Sequence, residues 1–332
     1  MKLRIKYFIL VLPLLISSCN IVNPVGGNHI SGPVYEVGSI NTDGSNQKII
    51  SNNGINVALT GNYIIYNDGY LTETNLDGSK VHRLLPYTNL NTHDFSISPY
   101  ATKIAFSTGP KLYVMNINGG GLTQVSLPDS ITNVINPNIS FNDSEIVFFN
   151  KNGLYEMNID GKGIMKLRSS PLDSNITFSQ PLFSANDQNI IYATFNKSAY
   201  MPIDLHSLNL KDLSDTAFYN FGSIDFTSFE ISPQNILLLQ SSNSNIYSID
   251  LNNFNVTQVT KGYCASYSFD YKKITYEDVD PPNIIYIMDL NSKVTTKVSV
   301  NFTVNLDITI YATKLSFDGT TLLYTNSRMV PD

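Results

Sequence analysis

Residues 73–85 read ETNLDGSKVHRLL, 113–125 read YVMNINGGGLTQV and 155–167 read YEMNIDGKGIMKL. The shared turn occurs clearly at Asn41-Thr42-Asp43-Gly44, Asn75-Leu76-Asp77-Gly78, Asn116-Ile117-Asn118-Gly119 and Asn158-Ile159-Asp160-Gly161. Weaker copies begin at Asn209, Asp250 and Asp289. These starts recur about every 41 residues, a period of the length that marks propellers and solenoids. A second motif lies between them. Ser98-Pro99 precedes KIAF, Ser140-Phe141-Asn142-Asp143 precedes EIVF, and Ser184-Ala185-Asn186-Asp187 precedes NIIY. Ser232-Pro233 precedes ILLL, Ser268-Phe269-Asp270 precedes KITY, and Ser316-Phe317-Asp318-Gly319 precedes TLLY. A degenerate copy at Leu59-Thr60-Gly61-Asn62 precedes YIIY.

Asp-Gly or Asn-Gly supplies the positive φ of a tight hairpin turn, so a two-residue loop is expected at each clear copy. The flanking segments fit strands buried on both faces. Each unit reads strand, turn, strand, strand, turn, strand: one four-stranded blade. Residues 34–51 hold only the second half of such a unit and 315–326 only the first half. Together they make one blade from the two ends of the chain, which closes the ring and removes exposed sheet edges. The expected fold is therefore all-β: a single closed propeller of seven four-stranded blades, or six if 57–85 or 180–216 is not a blade. Only 14% of the residues are charged, against a usual share of roughly 25%. Asn, Ser, Thr and Tyr fill the polar positions, which suits strands and turns better than long helices.

The pattern of an apolar residue, Ser-Pro, two strands and an Asn-x-Asp-Gly turn resembles the TolB-type, WD-like propeller repeat, best in 97–126, ISPYATKIAFSTGPKLYVMNINGGGLTQVS. The resemblance covers residues 33–328. It implies a propeller and leaves the activity open, because propellers host many functions. The short stretch between Cys19 and the first strand leaves no room for the additional N-terminal domain of true TolB.

The chain opens MKLRIKYFILVLPLLISSC. Three basic residues precede an apolar run at 7–16, which is shorter than the roughly 20 residues of a membrane span and fits a signal-peptide core. Ile16-Ser17-Ser18-Cys19 resembles a bacterial lipobox. That resemblance implies removal of residues 1–18, lipidation of Cys19 and attachment to the cell envelope. Asn20, in place of Asp, favours the outer membrane where the cell has one. Residues 19–32 are expected to be the lipidated cysteine and a tether. The mature chain would carry 18 basic and 27 acidic residues, a net charge of 18 − 27 = −9. With no basic cluster, nucleic acid is not an expected partner. With Cys19 lipidated, Cys264 has no disulfide partner, and its apolar surroundings suit a small buried side chain.

Propeller ligands meet the channel or the face carrying the longer inter-blade connections. Candidate ligand-binding residues there are His93, Asp94, Arg168, Gln180, Glu230 and Glu277. Asn136, Asp129, Asp225, Asp278 and Asp280 lie nearby, and Tyr87, Tyr200, Phe218 and Tyr219 are read as loop aromatics. The Asp residues of the repeated turns are read as turn formers, because an EF-hand spacing with its closing Glu is absent. No G-x-S-x-G elbow, phosphate loop, Cys cluster or nucleophile triad is present in the sequence. With only four histidines, a three-histidine metal site is not expected and no cofactor is expected. The expected role is a monomeric, non-catalytic, lipid-anchored module that docks an envelope protein or peptide. The alternative is a carbohydrate-binding surface lipoprotein or a propeller-type polysaccharide lyase.

Overall fold

The repeated serines set the geometry of each blade. In the computed structural model, the carbonyl oxygens of Ser98, Ser140, Ser184, Ser232, Ser268 and Ser316 accept the N–H groups of Ala101, Asp143, Asp187, Asn235, Tyr271 and Gly319. Those six residues take left-handed conformations, with φ from 53° at Ala101 to 70° at Gly319. The serine side chains are buried. Their hydroxyl oxygens accept N–H groups from the start of the next strand, such as Glu145 at 2.9 Å, Asn189 at 3.0 Å and Lys273 at 3.0 Å. A hydroxyl at this point satisfies a backbone donor that the turn withdraws from the ladder.

The Asn-x-Asp-Gly turns differ from the two-residue loop expected. The N–H groups of Gly44, Gly78, Gly119 and Gly161 donate to the carbonyls of Asn41, Asn75, Asn116 and Asn158, each at 2.9 Å. Only the glycine takes positive φ, between 76° and 86°, and the Asp or Asn before it does not. This is a three-residue loop closed by a left-handed bulge residue. The aspartates brace their own turns: Asp43 Oδ1 accepts both the N–H and the hydroxyl of Ser45, at 2.8 and 2.6 Å, and Asp77 does the same with Ser79 at 2.9 and 2.6 Å.

These hairpins assemble seven four-stranded antiparallel sheets, the blades of a seven-bladed propeller. The structure describes residues 34–328, except 53, 61–62, 85–94, 109, 132, 171–174, 197, 199–200, 223–225, 278–283 and 302–308. Six blades are consecutive in sequence. Their innermost strands are Ile55–Thr60, Phe95–Ile97, Ile135–Ile139, Ile176–Phe183, Phe226–Ile231 and Tyr263–Tyr267. The seventh is composite: Thr309–Leu315 and Thr321–Arg328 form its inner half, and Val34–Asn41 and Lys48–Ser51 its outer half. Val34 pairs with Arg328 and Asn41 with Thr321, in unbroken register between them. No helix is present among the described residues.

Packing between blades uses a cross-strand aromatic pair on the two middle strands. Phe106 stacks on Tyr113 at 5.2 Å, Phe148 on Tyr155 at 5.6 Å and Tyr276 on Tyr286 at 5.4 Å, all within 14° of parallel. Each pair is directly opposed in register. Such pairs add to sheet stability beyond the apolar area they bury. Phe106 and Phe148 are fully enclosed. Polar latches tie the serine turns of successive blades. Asp187 accepts the N–H groups of Phe141 and Asn142 at 2.7 and 2.9 Å, and Asn235 accepts that of Ala185 at 3.1 Å.

Candidate functional site

The residue two before each motif serine, or before Thr60 in the first blade, occupies one ring around the axis. Read from the first blade, the ring is Ala58, Ser96, Asn138, Leu182, Glu230, Ser266 and Lys314. All but Ser266 line a single cavity of about 210 Å³, to which every innermost strand contributes. The cavity also touches Pro99, Ala101, Phe141, Phe269 and Tyr271, so it lies where the strands reach the serine turns. Its remaining walls include Val57, Phe95, Ile97, Phe183 and Tyr267. Bulges in the innermost strands, between Ile55 and Ala58, Ser179 and Leu182, and Ile310 and Ala312, turn the strands just before the ring.

Glu230 and Lys314 are the charged residues lining this cavity among the described residues. Lys314 Nζ donates to Glu230 Oε1 at 2.5 Å. Glu230 also accepts the Ser266 hydroxyl at 3.2 and 3.3 Å and the Tyr267 N–H at 3.0 Å. One carboxylate therefore joins the inner strands of three successive blades. The Ser96 hydroxyl is buried and makes no hydrogen bond within the protein.

Arg168 and Glu277 are not among the residues lining this cavity. Arg168 lies on the outermost strand of its blade, Met165–Ser169, and reaches the next blade. Its Nε donates to Asp215 at 3.1 Å and its Nη2 to the Leu213 carbonyl at 2.5 Å. Asp215 also accepts the Tyr192 hydroxyl at 2.5 Å and meets His206 Nδ1 at 3.3 Å, and Tyr192 stacks on His206 at 4.9 Å. Gln180 lies on the innermost strand Ile176–Phe183. Glu277 ends the strand Lys273–Glu277 and is buried. Phe218 and Tyr219, read as loop residues, belong to the edge strand Asp215–Asn220; Phe218 stacks on Phe254 of the next blade at 4.7 Å. Cys264 is buried and in no disulfide. Cys19, His93 and Asp94 lie outside the described residues. Among those described, no group of three His, Cys, Asp or Glu could hold a metal ion.

Burial pushes the Asp215 carboxyl up, but hydrogen bonds from His206, Tyr192 and Arg168 outweigh it and hold it at about 2. The value is lower than the ordinary 3.8, so the cluster stabilises the fold above that pH, and its contribution is lost as pH falls toward 2. Asp215→Asn is expected to cost about 2 kcal/mol at pH 7, less than for a fully buried ion pair because a fifth of the side chain is exposed. Urea titrations should show the gap between variant and native protein narrowing from pH 5 to pH 2.5.

A further set of aromatics lies on the serine-turn face. Tyr100 and Phe317, in the serine turns of the second and seventh blades, are 58% and 59% exposed. Tyr63, which follows the corresponding turn of the first blade, is 46% exposed. Tyr100 is braced edge-on by Phe141 at 6.3 Å and Phe317 by Phe269 at 5.5 Å.

Solved structures show the same architecture. A putative TolB from Agrobacterium tumefaciens superposes with a TM-score of 0.51 at 13% identity, over 91% of this chain and 100% of that one. The fold is that of the TolB-like propellers. An oligogalacturonate lyase in complex with manganese superposes with a TM-score of 0.59 at 12% identity, over 82% of this chain and 88% of the lyase. TolB from Acinetobacter baumannii matches with a TM-score of 0.48 at 13% identity, and the alignment spans 64% of that protein's length. No protein-family model and no curated protein matches the chain in sequence. At these identities the shared feature is the TolB-like fold, and the site must be read from this chain's own residues.

Proposed function

We propose that this protein is a non-catalytic docking module, held at the cell envelope by lipid on Cys19, whose serine-turn face binds an envelope protein or peptide. The observation that carries the reading is the run of exposed aromatics on three consecutive blades: Phe317, Tyr63 and Tyr100. Aromatic residues dominate the energetic centres of protein interfaces. Tyr100 and Phe317 are each held by a second ring from a neighbouring turn, so little side-chain freedom is lost on binding. The ion pair at the axis favours binding over chemistry, because the Glu230 oxygens are already occupied by three donor groups.

A photo-crosslinking residue placed at position 100 or 317 in cells is expected to capture one partner of discrete mass. Lys151, exposed in a connection between the two middle strands of its blade and so at the other end of the ring, should not capture it. Equal capture at all three positions, or at none, would remove the docking reading. Metabolic labelling with a palmitate analogue should mark the native chain and not Cys19→Ala.

A further inference from the structure

The axial cavity's spare charge-assisted hydrogen-bonding capacity is of one kind. Glu230 is already engaged by three donors: Lys314 on Oε1, the Tyr267 N–H on Oε2, and the one Ser266 hydroxyl shared between the two oxygens. A carboxylate offers about four lone-pair sites. An ammonium has three donors, and Lys314 directs one of them to Glu230. The Ser96 hydroxyl, buried in the same cavity, has no partner within the protein. The remaining charged capacity is therefore donor capacity, at Lys314, and the Ser96 hydroxyl can donate as well as accept. In ring order these two donors flank Ala58, the smallest side chain of the ring. That order leaves a niche between a cation and a hydroxyl. The rest of the wall is largely apolar, with Phe95, Leu182 and Phe183 among its members, and its polar side chains, Asn138 foremost, are uncharged.

We propose that this cavity binds a small carboxylate bearing one aromatic or branched apolar group, with the carboxylate between Lys314 and Ser96 and the apolar group against Leu182 and Phe95. A cation favours an anionic acceptor over a neutral one, and charge-assisted hydrogen bonds are roughly twice as strong as neutral ones. Size agrees: the cavity is about 210 Å³, whereas an apolar cavity of about 150 Å³ admits benzene. The difference holds a carboxylate. The same chemistry is offered by a free acid or by the C-terminal residue of a peptide. This inference stands apart from docking on the exposed aromatics, because the cavity is tested on the isolated protein with small probes.

The experiment is calorimetric titration of the wild-type protein with benzoate, benzamide and benzylamine, with ligand-observed NMR for weak binding. Benzoate should bind at least tenfold more tightly than either isostere, because a charge-assisted hydrogen bond separates them. Equal binding of all three, tighter binding of benzylamine, or no binding of benzoate at millimolar concentration would overturn the proposal. Lys314→Met should reduce benzoate affinity about tenfold or more. Ser96→Ala, which leaves the ion pair in place, should reduce it severalfold with an unchanged unfolding midpoint. Unchanged affinity in Ser96→Ala would remove the niche. A peptide ending in free phenylalanine and its C-terminal amide separate the two sources. If only the free-ended peptide matches or exceeds benzoate, the ligand is a chain terminus. If benzoate alone binds, it is a free acid. Either result supports the proposal.

Discussion

A chain ending at Asp318 should show no cooperative unfolding transition. The truncation removes Thr321–Arg328, which pairs with Val34–Asn41 on one side and Thr309–Leu315 on the other. Leu322, Leu323 and Tyr324 are all at most 1% exposed. Burying each contributes roughly 2 to 3 kcal/mol, so their loss alone is comparable with the 5 to 15 kcal/mol that holds an ordinary domain together. The Tyr324 hydroxyl also meets Gln47 at 3.0 Å, and Gln47 in turn donates to the Asn301 carbonyl and accepts its N–H. The cut thus splits the closing blade into a lone inner strand and an outer pair and opens two sheet edges. Far-ultraviolet circular dichroism against urea checks this, and a peptide covering 319–332 should restore the transition when added in excess. A truncated chain with the native midpoint would mean that the ring does not depend on its composite blade.

That composite blade was legible because each half of the repeat has its own signature, so a chain that begins with one half and ends with the other states its own closure. Motif serines were legible for a similar reason: hydroxyl, turn and strand recur in one order. The turn chemistry was less so. Asp-Gly is compatible with a two-residue loop and with the three-residue loop found, and the choice is made by backbone twist rather than by composition. The weak copies look irregular because their loops are one residue longer: the N–H groups of Leu213, Phe254 and Lys293, which take the left-handed conformation in place of glycine, reach back four residues to Asn209, Asp250 and Asp289. Glu230 was singled out as a polar residue on an inner strand. Its partner Lys314, 84 residues away, was missed, although aligning the repeats at two residues before the serine places both in one ring. Arg168 was read as a loop group facing a ligand. It is an inter-blade tie, because Asp215, 47 residues on, comes to it only after the sheets pack.

Gly153→Ala is expected to cost about 4 kcal/mol, far more than a glycine substitution at an open turn. Gly153 begins the third strand of its blade, Gly153–Asn158, and pairs with both Asn150 and Ser169. Its φ is 148°, a region that side-chain-bearing residues occupy at a cost of roughly 1 to 3 kcal/mol. A Cβ there would stand 1.9 Å from the Arg168 carbonyl oxygen. That atom is backbone and cannot rotate away, so the outermost strand Met165–Ser169 must move. Arg168 is also the residue that reaches Asp215 in the next blade, and the displacement strains that tie as well. The two penalties together give the expected cost. Gly222→Ala is the control: its φ of 61° is left-handed, but nothing lies within 4 Å of the added carbon, and the cost should stay near 1 kcal/mol. Urea midpoints for the two variants at pH 7 measure the difference. A comparable loss in both would place the penalty in backbone conformation alone. A larger loss for Gly153→Ala that shrinks when Asp215→Asn is added would show that the strand shift acts through the Arg168 tie, since coupled neighbours depart from additivity.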